Sequence, residues 1–312
     1  MGAGRAPAPQ TEGLATDLFL QALINGIMLG GFYAVMMLGF SVIWGVMGVI
    51  NLAHGDMIMV GAYLAWVLNT SYEVDPFLSL LIVMPVMFLF GYVLQLVLIN
   101  HVVERPILAS LLVTFGLSIA LANLAKLIFS ADLRITETAL GGAWTVGGVT
   151  FPVTKTVILG LSLLIVASLW VFLHRTRTGK SIRAAAQNKQ AARIVGINIK
   201  RAYAITFGIC IAITGAAGAV VSSVSSVFPF MGAPLTLRAF TITALAGLGS
   251  IPGALMGGVI LGIIESMIGV YVRGIGTNLA IVASFALLVV ILITRPQGLF
   301  GGLRPHEEPA QI

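Results

Sequence analysis

The sequence predicts an all-α polytopic membrane protein of about eight transmembrane helices, with broken or re-entrant segments among them. Three observations carry that prediction. Hydrophobic residues make up 58% of the chain and charged residues only 9%, against about 25% charged residues in soluble domains, and the mean hydropathy is +1.04. Apolar runs of about 20 residues, enough for a helix to cross a bilayer, recur along the chain. The alternating pattern of a transmembrane β-barrel is absent.

Taken in order, residues 1–17 (MGAGRAPAPQTEGLATD) carry one basic residue, several glycines and prolines and no cleavage signature. They are expected to form a flexible N-terminal tail, not a signal peptide. Residues 18–295 then make a single transmembrane domain. The stretches 18–40, 77–99, 107–129, 156–173, 203–221 and 279–294 each suffice, or nearly so, for one crossing. Between them, 41–68 and 236–268 are apolar but interrupted by glycine, proline or polar residues, and read as broken or re-entrant helices. Residues 296–312 form a C-terminal tail.

Charge distribution orients these segments. From His174 to Arg201 the chain holds eight Lys or Arg residues and no acid, so the 174–202 loop is expected in the cytoplasm. Residues 100–106 and the C-terminal tail then fall on the same side. Residues 69–76, 130–154 and, if 41–68 crosses once, the N-terminus fall outside. The net charge of +6 is therefore a matter of topology, not of nucleic-acid binding.

The same loops exclude several functions. The largest extramembrane pieces, 130–154 and 174–202, are too short to bury a core of their own, so no soluble catalytic or nucleotide-binding domain is present. Gly179-Lys180-Ser181 matches the end of a phosphate loop, but the required glycine five residues earlier is His174, and the match fails. Cys210 is the single cysteine and forms no intrachain disulfide. What the 174–202 loop does contain is an alanine-rich helix former, "SIRAAAQNKQAARIVGIN", closing at Gly196. Asn198 is placed to cap the helix that re-enters the membrane. Such a short surface helix suits either docking or an interfacial position on acidic lipid headgroups.

Two interruptions carry the polar chemistry. In "GVINLAHGDMIMVGAY", Asn51, His54 and Asp56 fall near mid-membrane, where an unsatisfied polar group costs several kcal/mol. Gly55 is expected to let the chain turn, and Asp56 to cap a helix over Met57–Leu68. In "ALAGLGSIPGALMGGVILGIIES", Gly247, Gly249 and Gly253 break the pattern, Ser250 supplies a cap, and Pro252 fits the first helical turn. Gly253, Gly257, Gly258 and Gly262 then follow at small-residue packing spacing. Paired interruptions in the two halves suggest a two-fold internal repeat and point to a transport pathway. His54 lacks neighbouring metal ligands and reads as a hydrogen-bonded structural histidine. Met28, Met36, Met37, Met57 and Met59 read as packing. Asn25 and Asn123 lie in other apolar segments, Lys126 lies where it snorkels to the outer interface, and Glu265 lies toward a segment end.

Three motifs in order, "INLAHGDMIMVGAY", "RAAAQNKQAARIVGIN" and "RAFTITALAGLGSIPGALMGGVILGI", make the chain resemble the membrane permease of the high-affinity branched-chain amino acid ABC importers over residues 18–303. It is closer to the permease carrying the "AHG" signature than to its longer sister. The resemblance implies a bacterial inner-membrane subunit without catalysis of its own, paired with a second, homologous permease. Two cytoplasmic ATPases holding ATP-Mg, and an extracytoplasmic binding protein that delivers substrate, complete the implied assembly. It also implies that Arg183, Ala184, Ala185, Lys189, Ala192, Arg193 and Gly196 form the ATPase-coupling element. Asn51, His54, Gly55, Asp56, Gly247, Gly249 and Ser250 would then shape the path or gate during alternating access. Leucine, isoleucine and valine are the implied substrates, with urea or short amides and aromatic acids as alternatives among related permeases. An ATP-independent transporter or channel is a rival reading. An intramembrane enzyme built on His54 and Asp56 lacks a nucleophile or metal set.

Overall fold

A computed structural model of the chain describes residues 11–247, 249–272, 274–295 and 298–299. Helices dominate that range: α1 (Thr11–Met47), α2 (His54–Tyr72), α3 (Pro76–Val97), α4 (Ile107–Phe129), α5 (Val153–Arg175), α6 (Arg177–Gln187), α7 (Lys189–Ile194), α8 (Ile199–Ser222), α9 (Gly232–Ala246), α10 (Ile251–Tyr271) and α11 (Gly276–Thr294). Six of them, α1, α3, α4, α5, α8 and α10, are long and apolar enough to cross a membrane by length and composition. The other expected crossings fall on α2, which carries His54 and Asp56 within its 19 residues, and on the apolar part of α11, Leu279–Thr294. The all-α membrane architecture is as the composition requires.

Helix α1 starts at Thr11, so residues 11–17 belong to the first helix and not to a tail. Residues 1–10 of the expected N-terminal tail, and nearly all of the C-terminal tail, lie outside the described residues. At 37 residues, α1 is about 55 Å long and runs through the centre of the bundle. Helices α1 and α8 are almost wholly buried, while α4 leaves most of its surface outside the protein.

Glycines set the closeness of the two central contacts. On α1, Gly26 and Gly30 face Gly258 and Gly262 of α10, and a Cβ at Gly26 would stand 2.6 Å from Ile263 Cα. That contact realises the small-residue spacing read in 253–262, which lets backbones approach where apolar lipid supplies no hydrophobic drive. Helix α2 meets α8 in the same way: a Cβ at Gly61 would lie 2.5 Å from the Gly215 carbonyl oxygen.

One end of the bundle carries a small antiparallel hairpin, β1 (Ala143–Val146) and β2 (Val149–Pro152), joined by the two-residue loop Gly147–Gly148. Gln21 of α1 clamps it, its side-chain amide donating to Thr150 O at 2.8 Å and accepting from Thr150 N at 2.7 Å. At the same end Asp75 caps α3 through Phe77 N and accepts from Thr138 Oγ1 and Ala139 N. The opposite end carries α6 and α7. The expected alanine-rich helix closing at Gly196 is two, because Asn188 leaves the helix and caps α7 by accepting from Ala191 N at 2.9 Å. Asn198 caps α8 as expected, accepting from Arg201 N at 3.0 Å.

Candidate functional site

The first break in the bundle runs from Gly48 to Ala53, between α1 and α2. The chain turns at Gly48, whose φ of 67° lies in the left-handed region that glycine enters without steric cost. Gly55, expected to make the turn, is instead helical. Its missing side chain serves contact: a Cβ there would lie 2.7 Å from the carbonyl carbon of Gly232, inside the start of α9. Asp56 likewise does not cap its helix. Helix α2 begins two residues earlier, at His54, with no side-chain cap, and Asp56 sits in its first turn, where a carboxylate still opposes the positive end of the helix dipole.

Neighbouring helices satisfy the free backbone groups of this break. Thr236 Oγ1 of α9 accepts from Gly55 N at 2.8 Å and has the Leu52 and Gly232 carbonyls within reach of its single hydrogen. Thr114 Oγ1 of α4 accepts from Leu52 N at 3.1 Å and stands 3.1 Å from Ile50 O. Asn51 Oδ1 accepts from Ala53 N at 3.1 Å. His54 holds Met36 O through Nε2 at 2.7 Å and meets Phe40 edge-on, the structural hydrogen bonding that its isolation in sequence suggested. Asn51, His54 and Asp56 are all buried. Asn51 Nδ2, His54 Nδ1 and Asp56 Oδ2 have no hydrogen-bond partner among the described residues.

The second break separates α9 from α10. Gly247 (φ 90°) and Gly249 (φ 72°) both adopt conformations that side chains disfavour. Ser250 caps α10, accepting from Gly253 N at 3.0 Å, with Pro252 in the first turn, and Gly249 N donates to Ser41 Oγ of α1 at 3.1 Å. No hydrogen bond joins the two breaks among the described residues. Both rest on one stretch of α1, His54 against Met36 and Phe40 and Gly249 against Ser41. A cavity of about 330 Å³ brings Gly249 and Ser250 together with Ile182 and Arg183 of α6 and Trp170 and Leu173 of α5. One set of sequence-predicted pathway residues thus meets one residue of the sequence-predicted coupling set.

The remaining coupling residues have definite neighbours. Ala185 and Ala192 are buried against the bundle, and Arg183 Nε donates to Leu173 O at 3.0 Å. Lys189 Nζ and Arg193 Nη2 reach Glu104 Oε1, at 2.5 and 2.6 Å. Hydrogen bonds from Lys189 and then Arg193 hold the Glu104 carboxyl below the usual carboxylate range. Gly196, with a φ of 82°, ends the segment. Beside exposed Gln190 and Arg193, α7 ends in an apolar tip: Ile194 is 86% exposed and Val195, just past the helix, 74%.

A cluster that the sequence reading missed lies between α1, α9, α10 and α11. Glu265 is 6% exposed and accepts from Tyr33 and Ser284 hydroxyls, each at 2.5 Å. Arg238 Nε stands 3.4 Å from Glu265 Oε1, and its guanidinium lies 5.8 Å from the Tyr33 ring centre. The signal was present, since an ionisable residue inside a membrane segment marks a functional site by default, and Arg238 lies in such a segment.

Residues 22–293 match the family model described as branched-chain amino acid transport system / permease component. The chain is 32% identical over 304 residues to the high-affinity branched-chain amino acid transport system permease protein LivH of Escherichia coli, covering 93% of this chain and 97% of that protein. It is 31% identical over 308 residues to BraD of Pseudomonas aeruginosa, described in the same words, with the same coverage. A shorter match, 32% identical over 128 residues, links 39% of this chain to 37% of the ribose import permease protein RbsC of E. coli.

Proposed function

The chain belongs to the branched-chain amino acid transport system permease family, and from that premise we propose that it forms one half of the translocation path of an ATP-driven importer for branched-chain amino acids. In this reading a second, homologous permease completes the path, an extracytoplasmic binding protein delivers the substrate, and two ATPases holding ATP-Mg dock on the cytoplasmic end. The basic run from Arg175 to Arg201 supports a cytoplasmic α6–α7 end, with the hairpin end outside.

The observation that carries this reading is the build of α6 and α7. They are held to the bundle by buried Ile182, Ala185 and Ala192 and by the Glu104 clasp, yet expose Ile194 and Val195. An anchored element with an outward apolar tip suits seating in a cleft of an ATPase. The cavity shared by Arg183, Gly249 and Ser250 supports mechanical coupling from that element to the second break. When the ATPases close on ATP, displacement of α6 moves the α9–α10 break, and the path changes the side to which it opens.

Purification of the chain with its partner ATPases tests docking. The wild type is expected to co-purify with them and to support hydrolysis stimulated by loaded binding protein. Ile194→Asp together with Val195→Asp is expected to abolish both while leaving the thermal stability of the isolated chain unchanged. Normal co-purification and hydrolysis by the double variant would refute docking through this tip.

A further inference from the structure

Toward the hairpin end of the bundle a cavity of about 340 Å³ opens between α1, α5, α9, α10 and α11, a volume at the small end of ligand pockets. Its walls include Met28 and Phe32 of α1, Ile158 of α5 and Ala280 of α11. Three charged side chains converge on this apolar chamber: Arg238, Glu265 and Lys155.

These groups have unused bonding capacity. Arg238 carries five N–H donors, yet its buried Nε has no hydrogen bond among the described residues and approaches Glu265 only at 3.4 Å. Glu265 accepts one hydrogen bond at each oxygen, from Tyr33 at Oε2 and from Ser284 at Oε1, out of about four acceptor positions on a carboxylate. Lys155 makes no ion pair among the described residues and stands exposed at the start of α5. A buried ion pair is weak evidence for stability, because desolvation offsets its attraction. A guanidinium that is part-open to a cavity and poorly paired is a recognition group in shape, since its fork matches a carboxylate.

We infer that this cavity is a transient binding site for the zwitterion of an apolar α-amino acid on its way through the membrane. Arg238, with Lys155 nearby, takes the α-carboxylate, Glu265 takes the α-ammonium, and the apolar walls take the side chain. Entry of the zwitterion replaces the loose Arg238–Glu265 pair with two ligand-bridged pairs, so the site neutralises both substrate charges without burying a net charge. Tyr33 and Ser284 are positioning residues that fix the Glu265 carboxylate. The inference rests on the import reading only for the direction of travel; binding itself does not require ATP.

The test is titration of the full chain in phosphatidylcholine nanodiscs, without binding protein or nucleotide, by saturation-transfer NMR. The probes are leucine, leucinamide (no carboxylate) and 4-methylpentanoate (no ammonium). Leucine is expected to bind, and each analogue to bind about tenfold more weakly or worse, the loss of one charge-assisted hydrogen-bonded contact. Arg238→Gln is expected to weaken leucine by a similar factor and Arg238→Lys by less, while the wild-type analogue series stands whether or not the variants fold. Absence of leucine binding, equal binding of the three probes, or leucine binding that Arg238→Gln leaves unchanged would overturn the assignment. So would leucine binding that vanishes in phosphatidylglycerol discs, which would mark a lipid-headgroup site. ATP-driven uptake with the partner ATPases is measured separately: uptake with unselective binding sinks this site alone, and selective binding without uptake sinks the import reading alone.

Discussion

Thr236 closes the first break with one hydroxyl, accepting from Gly55 N at 2.8 Å within reach of two carbonyls. Thr236→Val keeps the shape but leaves the Gly55 N–H buried without an acceptor, and is expected to cost about 1–3 kcal/mol. Thr236→Ser should retain most of that stability, and detergent-phase denaturation of the two variants checks the contrast. Gly55→Ala is expected to destabilise by about 1–3 kcal/mol through overpacking, because the new methyl would press on the Gly232 carbonyl. Wild-type stability in that variant would mean that α2 and α9 do not meet as closely as described. Residue type alone could not reveal this role. A glycine beside polar residues in an apolar run suggests a turn, whereas the partner that demands its bareness lies 177 positions away in the chain.

Helix α7 is six residues long, too short to be stable by itself, and depends on what clasps it. Glu104 does so through Lys189 and Arg193. All three side chains are about a third exposed or more, and such pairs contribute about 0–1 kcal/mol in high dielectric. Glu104→Gln is therefore expected to leave the global melting temperature nearly unchanged while amide protection across 189–194 falls, as hydrogen exchange would report. The pH dependence has a definite sign. A carboxyl held below its ordinary range contributes fully above the unfolded value of about 4.3 and loses its contribution as pH falls through the lower folded value. Protection of α7, corrected for intrinsic exchange, should be flat from neutral pH down to about 5 and fall only in stronger acid. A loss of protection already near neutrality would contradict the clasp. The caps at Asn198 and Ser250 were legible because a cap is local, a side chain bonding a backbone three residues on. The division of α6 from α7 at Asn188 has the same local signature, which the alanine-rich stretch around it obscured.

For the molecule as a whole, membrane class and the two interrupted segments were legible, since hydropathy and glycine-proline punctuation are written along the chain, although the first turn falls at Gly48 and not at Gly55. The Arg238–Glu265 cluster was not, because it joins four helices and depends on which faces meet. The β1–β2 hairpin was marked by Gly147-Gly148, a known hairpin-loop dipeptide, within a loop read only for its side of the membrane. The two breaks sharing α1, and the second break sharing a cavity with α6, make α1 the common support and α6 the lever in the proposed cycle. The proposal that partner ATPases drive transport through this chain is tested by radiolabelled leucine uptake into proteoliposomes holding the reconstituted permease pair and ATPases, with loaded binding protein outside and ATP within. Uptake is expected against a gradient with active ATPases, and at background level when their catalytic residues are disabled; uptake undiminished by the disabled ATPases would rule out ATP-driven import.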